Sequence, residues 1–432
     1  MTTRATTAAP PDRAATDAPG APPGAGTPAA ADAPGAHAGA GGHAPADALA
    51  LTLEPVDPAA FLAEHWERRS LIVARDDPER FRPLLSPEDV EHLVCETRIR
   101  APGFRMVKEG AQIPLAAYTE DIGWRPGSFS GMAVVERVTE EFARGATLVL
   151  QALHLHWPAA ALYCRGLEAS LGCPAQANAY LTPATSRGFA VHHDTHDVFV
   201  LQVSGRKSWR VYEPVLELPL KDQRWSTELG DPGPPVEEFT LEAGQTLYLP
   251  RGWPHEATTS DEESLHLTIG LHPTTRMDAM RMALDGCADD PEFRRSLPED
   301  GHLPAELIDR LAARLQPGEV ARRARRRFVA SRHPILHDQL SQVRELDDLT
   351  ATSPLERRPT VLFELEEAGD GNVTLVFEGK ELRFPAKAAA AVRAIAGPCD
   401  HVRPADLPGP LDEAGRLVLT RRLVREGFLR QA

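Results

Sequence analysis

Two histidines and one aspartate carry the clearest chemical signal in this 432-residue sequence. His192 and Asp194 lie two positions apart in the stretch GFAVHHDTHDVF. On a β-strand alternate side chains share a face, so this spacing predicts an imidazole and a carboxylate that converge on one point. His255, in the stretch TLYLPRGWPHEA, offers a third ligand. Two histidines and one carboxylate with open positions form the ligand set of non-haem Fe(II) oxygenases.

The flanking sequence favours this interpretation over the alternative, a polar strand end. The apolar run VFVLQV (198–203) is typical of a buried strand, and a glycine turn with a cation leads into a second strand near Trp209. Glycines and prolines bracket the short strand TLYL before His255. Such turns can hold a histidine at the rim of a β-barrel, where binding sites tend to lie.

Three segments of this region carry a family resemblance. The patterns are NxYLTP, HxDxxDVFxLQxxGxKxW and YxPxGxPHE, formed by Asn178, Tyr180, Leu181, Thr182 and Pro183, by His192, Asp194, Asp197, Gly205, Lys207 and Trp209, and by Tyr248, Pro250, Gly252, Pro254, His255 and Glu256. They resemble the JmjC-type, cupin-like 2-oxoglutarate oxygenases, most closely the ribosomal oxygenases that hydroxylate ribosomal proteins. The resemblance extends over roughly residues 50–432.

The resemblance implies a cofactor set and a division of roles. His192, Asp194 and His255 would bind Fe(II), and Lys207 would bind the distal carboxylate of 2-oxoglutarate, with O2 as the second cosubstrate. Without the motif, Lys207 would be interpreted as a solvated turn cation, and Arg206 competes with it.

Other polar residues near the motif leave alternatives open. Asn178 and Tyr180 either contact the cosubstrate, as the resemblance implies, or line the barrel, and Thr268 is a weaker cosubstrate candidate. His193 is out of phase with the ligands. His196 is a neighbour of the metal ligands, a substrate contact or solvent-exposed. A structural role is favoured for Asp197, as it is for His266.

His154 and His156 form a second pair two positions apart. As part of a strand they could bind metal, but no third ligand follows them. Trp157-Pro158 is typical of a helix entry, and a helix is predicted over 158–171, ending at Gly172. The favoured interpretation is therefore a pair of structural histidines.

Composition limits the compartment and the partners. The net charge of −15 argues against a protein that binds nucleic acid over its whole surface. The five cysteines (Cys95, Cys164, Cys173, Cys287 and Cys399) include no CxxC pair, which fits reduced thiols in a cytoplasm. No apolar run is long enough for a membrane span, and the N-terminus lacks the apolar core of a signal peptide. A cytoplasmic location is predicted.

The predicted organisation has four parts. They are a disordered Ala/Pro/Gly-rich tail (1–48), a JmjC-like oxygenase domain (49–273), a helical dimerisation region (274–340) and a winged-helix-like domain (341–432). The fold class is mainly β with α additions, around a double-stranded β-helix core. Helices are predicted to begin at Asp57-Pro58 and Ser86-Pro87.

Three further segments are assigned with less detail. Residues 214–240 are predicted to form a long loop over the barrel mouth; loops of this length inside a domain are often functional, and substrate contact is one role open to this loop. An apolar stripe from Leu303 to Leu315, with Gly318 beyond the helix end, fits a dimer interface by resemblance, and the arginines at 322–327 either bind RNA or form a solvated face. Residues 356–432 hold twelve basic and twelve acidic residues, so direct nucleic-acid binding by the C-terminal part is not expected.

The predicted function is Fe(II)- and 2-oxoglutarate-dependent hydroxylation of a protein side chain, by resemblance an arginine or histidine of a ribosomal protein. Two alternatives remain. One is the same chemistry on a peptide or small metabolite. The other is a catalytically silent cupin-like scaffold that binds partners.

Overall fold

The computed structural model describes residues 48–186, 190–398 and 401–432. Within these ranges no helix is both long enough and apolar enough to cross a membrane. The tail predicted at 1–48 lies outside the described residues except for Ala48, which opens the first helix.

Eleven α-helices lie in the described ranges: α1 (Ala48–Leu53), α2 (Pro58–Glu64), α3 (Pro87–Glu91), α4 (Val135–Ala143), α5 (Pro158–Leu171), α6 (Arg276–Asp285), α7 (Ala305–Arg314), α8 (Pro317–Ala330), α9 (Gln339–Arg344), α10 (Ala386–Ala396) and α11 (Glu413–Arg425). The same ranges hold eighteen strands: β1 (Leu71–Val73), β2 (Phe104–Lys108), β3 (Ala111–Gln112), β4 (Thr119–Trp124), β5 (Gly127–Ala133), β6 (Thr147–Leu150), β7 (Ala175–Thr182), β8 (Asp197–Ser204), β9 (Arg206–Val211), β10 (Glu237–Glu242), β11 (Thr246–Leu249), β12 (His255–Thr259), β13 (Ser264–Leu271), β14 (Leu355–Arg357), β15 (Phe363–Glu367), β16 (Val373–Phe377), β17 (Lys380–Phe384) and β18 (Leu429–Gln431).

The predicted helix starts are confirmed by their capping contacts. The Asp57 carboxylate accepts a hydrogen bond from the Ala60 N–H at the start of α2. Ser86 forms a capping box with Asp89 at the start of α3. Helix α5 spans the predicted 158–171, and Gly172 ends it in the left-handed conformation, with φ of 65°.

Two antiparallel sheets form the core of the first part of the chain, and β4 and β5 pair as a separate two-stranded sheet. The larger has the strand order β1-β11-β8-β13-β7-β6-β2-β3, and the smaller has the order β10-β9-β12. From β7 to β13 the chain passes repeatedly between them, because β7, β8, β11 and β13 lie in the larger sheet and β9, β10 and β12 in the smaller. The predicted mainly β architecture with added helices is confirmed.

Strand β8 is buried on both faces, as the run VFVLQV predicted. One face, with Val198 and Val200, packs with Trp209 and Val211 of the smaller sheet, so this cluster fills the space between the sheets. The opposite face packs with the N-terminal helices and α5 in a larger cluster that includes Phe199. Packing on both faces of β8 thus holds the two sheets next to the candidate site.

Gly318 lies beyond the end of the helix that carries the apolar stripe, as predicted, because α7 ends at Arg314. Gly318 also lies in the first turn of the next helix, α8, which the sequence did not indicate. Pro317 begins α8, because proline fits the first helical position, where no intrahelical N–H bond is needed.

The C-terminal part contains a three-stranded sheet (β15-β16-β17) and a two-stranded sheet (β14-β18), packed with α10 and α11 around their own apolar core. A buried ion network joins it to α5. The Arg165 guanidinium donates to Glu168 at 3.0 Å and to Glu378 at 2.6 Å. It also donates to the His333 carbonyl at 2.6 Å. The four-part division into domains stays a prediction.

Four arginines of α8 form ion pairs within the described part of the chain: Arg322, Arg323, Arg325 and Arg326. Arg325 contacts Glu364 at 2.6 Å, and Arg326 contacts Glu381 at 2.6 Å and also pairs with Glu366. These acids lie on β15 and β17, so much of the basic charge of α8 is neutralised by the adjacent sheet.

Candidate metal and cosubstrate site

His192, Asp194 and His255 come together as predicted. Their ligand atoms all lie within 4.8 Å of one another, and in the described part of the chain this is the one such cluster of His, Cys, Asp or Glu. His255 Nε2 lies 3.9 Å from Asp194 Oδ2. The two imidazole rings have centroids 4.6 Å apart. This arrangement could hold one metal ion.

The local geometry differs from the prediction that a regular strand carries His192 and Asp194. His192 forms an isolated antiparallel bridge with His255, in which each N–H donates to the other residue's carbonyl at 3.2 and 2.9 Å. Residues 193–196 are not strand, and β8 begins only at Asp197. The Asp194 carbonyl accepts a hydrogen bond at 3.0 Å from the N–H of Gly252, which lies in a turn. Asp194 is therefore held by a backbone bond to a turn and not by pairing with a neighbouring strand.

Both histidines are oriented by backbone carbonyls. His192 Nδ1 donates to the Ala190 carbonyl at 2.8 Å, and His255 Nδ1 donates to the Trp253 carbonyl at 3.0 Å. With the proton on Nδ1, Nε2 keeps its lone pair, which is the form that binds a metal. The two rings are therefore set in the ligand tautomer by the main chain.

The electrostatics also suit a metal. Burial raises the pKa of Asp194, but the neighbouring histidines, led by His196, outweigh burial and hold that pKa below its usual value. Burial, with a further contribution from His192, lowers the pKa of His255 to about 4. At neutral pH the site therefore offers a carboxylate and a neutral imidazole.

A cavity of about 290 Å³ opens beside the three ligands. Lys207 lines it and is 3% exposed. Its ammonium donates to Thr182 Oγ1 at 3.2 Å, and no carboxylate of the described residues lies within ion-pair distance of it. Burial lowers the pKa of Lys207 to about 7. A buried ammonium without a counter-ion is costly, so the cavity is suited to an anion.

Two further buried polar atoms support a dicarboxylate ligand. Trp209 Nε1 and His266 Nδ1 have no hydrogen-bond partner among the described residues, and both side chains line the cavity. Burial places the pKa of His266 well below its usual value. The three ligands and Lys207 thus fit Fe(II) and 2-oxoglutarate, the group that the sequence resemblance implies.

Of the weaker cosubstrate candidates, two line the cavity and one does not. Tyr180 and Thr268 line the cavity, whereas Asn178 is not among its lining residues and accepts a hydrogen bond from the Ala152 N–H at 2.9 Å. Tyr180 stacks on His266 with ring centroids 4.9 Å apart. Burial raises the pKa of Tyr180 to about 12, so it stays a neutral phenol.

Sequence reasoning missed Arg105 and Thr147, which also line the cavity. Arg105 lies on β2 opposite Val149 of β6, which in turn lies opposite Tyr180. Only the strand order β7-β6-β2 places these residues beside the motif. The local signal in this region is the sequence FRMVKEG (104–110), which is typical of a strand and hairpin but does not indicate the partner strand.

The other polar residues near the ligands have structural contacts. Asp197 is fully buried and accepts from Tyr248 at 2.8 Å and from Arg251 at 2.9 Å, which confirms the structural role favoured for it. His196 stacks on His272 with centroids 4.7 Å apart. Arg206, the competitor of Lys207, is exposed and contacts Asp261 at 3.0 Å.

His154 and His156 do not form a metal site within the described residues. A single 3-10 turn, Leu153–Leu155, replaces the strand that the spacing would need. His154 Nδ1 accepts from the Ala177 N–H at 3.1 Å, which supports the structural interpretation.

Comparison with known proteins agrees with the motif. The JmjC domain model matches residues 158–279. The chain is 32% identical over 227 residues to a bifunctional lysine-specific demethylase and histidyl-hydroxylase NO66 of Drosophila persimilis, covering 52% of this chain and 31% of that protein. It is 33% identical over 264 residues to ribosomal oxygenase 1 of Rattus norvegicus, covering 57% of this chain and 42% of that protein. The chain thus spans less than half the length of these relatives.

A solved structure is similar over most of its length. The Escherichia coli ribosomal oxygenase YcfD in complex with cobalt and 2-oxoglutarate superposes with a TM-score of 0.50 at 17% identity, covering 88% of this chain and 98% of that one. At this identity the likeness shows the fold. Together with the curated relatives, it confirms the predicted resemblance to JmjC-type ribosomal oxygenases.

Proposed function

We propose that this chain is an Fe(II)- and 2-oxoglutarate-dependent dioxygenase that hydroxylates a protein side chain. One observation carries the proposal. Three metal ligands and a buried lysine without a counter-ion line a single cavity. A 2-His-1-carboxylate site with open positions is typical of non-haem Fe(II) oxygenases.

Each residue has a defined task in this proposal. His192, Asp194 and His255 would hold Fe(II), and Lys207 with Thr182 would bind the distal carboxylate of 2-oxoglutarate. When bound, these groups supply the oxidation: 2-oxoglutarate and O2 give succinate and CO2, and one oxygen atom enters a substrate C–H bond. The Tyr180 phenol and the Trp209 indole N–H lie on the cavity wall, where they can orient the cosubstrate. The apolar cluster between the sheets limits the access of water.

The core is proposed to be a double-stranded β-helix. Alternation of strands between the two sheets and the His192–His255 bridge at the edge of the smaller sheet support this. We also propose a winged-helix-like C-terminal domain, because β14–β18 with α10 and α11 combine small sheets and helices around one core.

The helical region is proposed to form a homodimer. Helix α7 has no buried residue, and Met280, Leu284, Leu303 and Ile308 of this region are more than half exposed, at 55%, 53%, 58% and 53%. Apolar patches of this kind mark protein interfaces. The sequence resemblance points to a second copy as the occupant.

The substrate is proposed to be a ribosomal protein, hydroxylated on arginine or histidine. The names of the relatives, ribosomal oxygenase and histidyl-hydroxylase, support this proposal. Direct nucleic-acid binding is not proposed, because four arginines of α8 pair with acids of the same chain. The four described cysteines are free thiols, in keeping with a cytoplasmic location.

The test is a hydroxylation assay on a purified ribosomal-protein mixture, with Fe(II), 2-oxoglutarate and air. The expected result is one ribosomal protein that gains the mass of one oxygen atom with wild type and not with Lys207→Met. Succinate formation without any modified ribosomal protein would move the substrate to a peptide or small metabolite. Absence of succinate under all conditions would favour a non-catalytic scaffold.

A further inference from the structure

The loop between β9 and β10, residues 212–236, contacts the segment that carries two metal ligands. The Trp225 ring packs edge-on against His193, with centroids 5.3 Å apart and an interplanar angle of 78°. His193 Nε2 donates to the Gln223 carbonyl at 3.2 Å. His193 is 4% exposed and lies between His192 and Asp194 in the sequence. His193, which is not a metal ligand, therefore provides the surface against which the loop packs.

The same loop contacts the turn before the third ligand. Gly252 has φ of +87°, and a Cβ there would lie 2.5 Å from the Leu216 carbonyl and 2.7 Å from Pro219 Cδ. The Tyr212 N–H donates to the Pro254 carbonyl at 2.9 Å. Only glycine allows this approach, so the start of the loop is fitted closely to the turn that leads into His255.

Trp225 is the anchor of the middle of the loop. It is half-buried, whereas residues 221–224 and 226–228 are exposed. An indole buried in an otherwise exposed stretch supplies most of the apolar contact that can hold it. Removing the ring should therefore free residues 221–230 while leaving β9 and β10 in place.

The exposed side chains of the loop indicate the chemistry of its partner. Five carboxylates point to solvent and make no ion pair with any residue that the structure describes: Glu213, Glu217, Asp222, Glu228 and Asp231. The loop holds two cations, Lys221 and Arg224. A surface with this excess of carboxylates repels phosphates and attracts basic polypeptide.

We propose that Trp225 and His193 are positioning residues that hold loop 212–236 beside the metal-binding segments as the contact surface for a basic protein substrate. The inference rests on the proposed function and extends it, by assigning substrate positioning to a part of the chain outside the cavity. The loop contacts both the segment that carries His192 and Asp194 and the turn before His255. These two segments are joined by the hydrogen bond from the Gly252 N–H to the Asp194 carbonyl, so the loop and the metal ligands are structurally connected.

The experiment compares wild type with Trp225→Ala, the conservative variant Trp225→Phe, and Trp124→Ala as the matched control. Trp124 lies on the β4–β5 hairpin and is 67% exposed. Hydrogen exchange of residues 212–236 is measured on the Mn(II)-loaded protein, together with Mn(II) affinity. The concentration of ribosomal-protein mixture that gives half-maximal hydroxylation is measured with Fe(II).

Trp225→Ala should accelerate exchange in 221–230 and raise the half-maximal concentration by about threefold to tenfold, the effect of losing one aromatic pair. Mn(II) affinity should be unchanged, and Trp225→Phe and Trp124→Ala should resemble wild type. Unchanged exchange in Trp225→Ala, or faster exchange with an unchanged half-maximal concentration, would overturn the proposal. A parallel loss of Mn(II) affinity would also overturn it, because Trp225 would then support the metal site itself. If wild type modifies no ribosomal protein, the proposed substrate fails and the inferred substrate contact fails with it, and the exchange data then report on the anchor separately.

Discussion

The Lys207 amine should take up a proton when 2-oxoglutarate binds. The free ammonium is 3% exposed with a pKa near 7, because burial disfavours its charge. A bound carboxylate favours the charged form and returns that pKa towards its ordinary value. At about pH 8 only about a tenth of the free lysine is charged, so binding should take up roughly 0.9 proton; at about pH 6 it should take up roughly 0.1.

The sign of the pH dependence follows. Below the free pKa of about 7 the lysine is already charged, and this group adds no pH dependence to affinity. Above that pKa the lysine must take up one proton for 2-oxoglutarate to bind, so the affinity for 2-oxoglutarate should fall about tenfold per pH unit.

Titration calorimetry tests this directly. The Mn(II)-loaded protein is titrated with 2-oxoglutarate in two buffers of different ionisation enthalpy at each pH, and the difference gives the number of protons taken up. Lys207→Arg is the matched control, because a guanidinium stays charged and should bind the carboxylate with no uptake. Uptake below roughly 0.2 proton at about pH 8 in wild type, or equal uptake in Lys207→Arg, would show that Lys207 is not the group that is protonated when 2-oxoglutarate binds.

Three further perturbations have definite outcomes. Gly252→Ala should lower the unfolding free energy by about 1–3 kcal/mol in chemical denaturation, since its φ is +87° and a Cβ would meet the Leu216 carbonyl; a neutral effect would contradict the close fit. Arg165→Ala should cost about 3–5 kcal/mol in the same assay, because buried Glu378 loses its ion pair and buried Glu168 keeps only the ion pair with Arg332, and a cost below about 1 kcal/mol would argue against a tight junction with the C-terminal part. Ile308→Glu should convert a dimer to a monomer in sedimentation velocity, and an unchanged dimer would move the interface elsewhere.

The identity of the three metal ligands could be predicted from the sequence, but the backbone geometry that brings them together could not. His192, Asp194 and His255 were identified from type and spacing, yet they meet through an isolated bridge and a turn rather than along a strand. Local alternation cannot show that the Asp194 carbonyl pairs with Gly252, because that bond joins residues far apart in the chain. The same limit applies to Arg105, which reaches the cavity only through the order of the strands.

Elements with local signals were predicted well. Asp57-Pro58, Ser86-Pro87 and Gly172 mark helix ends by capping chemistry that acts within a few residues, and each lies where expected. The loop predicted at 214–240 was too long at its end, since β10 begins at Glu237. Its contacts with His193 depend on tertiary packing, and no local pattern indicated Trp225 as an anchor.

The metal site is tested most directly by iron-dependent succinate formation from 2-oxoglutarate in wild type, His192→Ala and His156→Ala. Succinate is expected from wild type and from His156→Ala, whose exposed imidazole lies outside the cavity, and none is expected from His192→Ala. Equal succinate formation by His192→Ala, or its loss in His156→Ala alone, would contradict the assignment of the metal site.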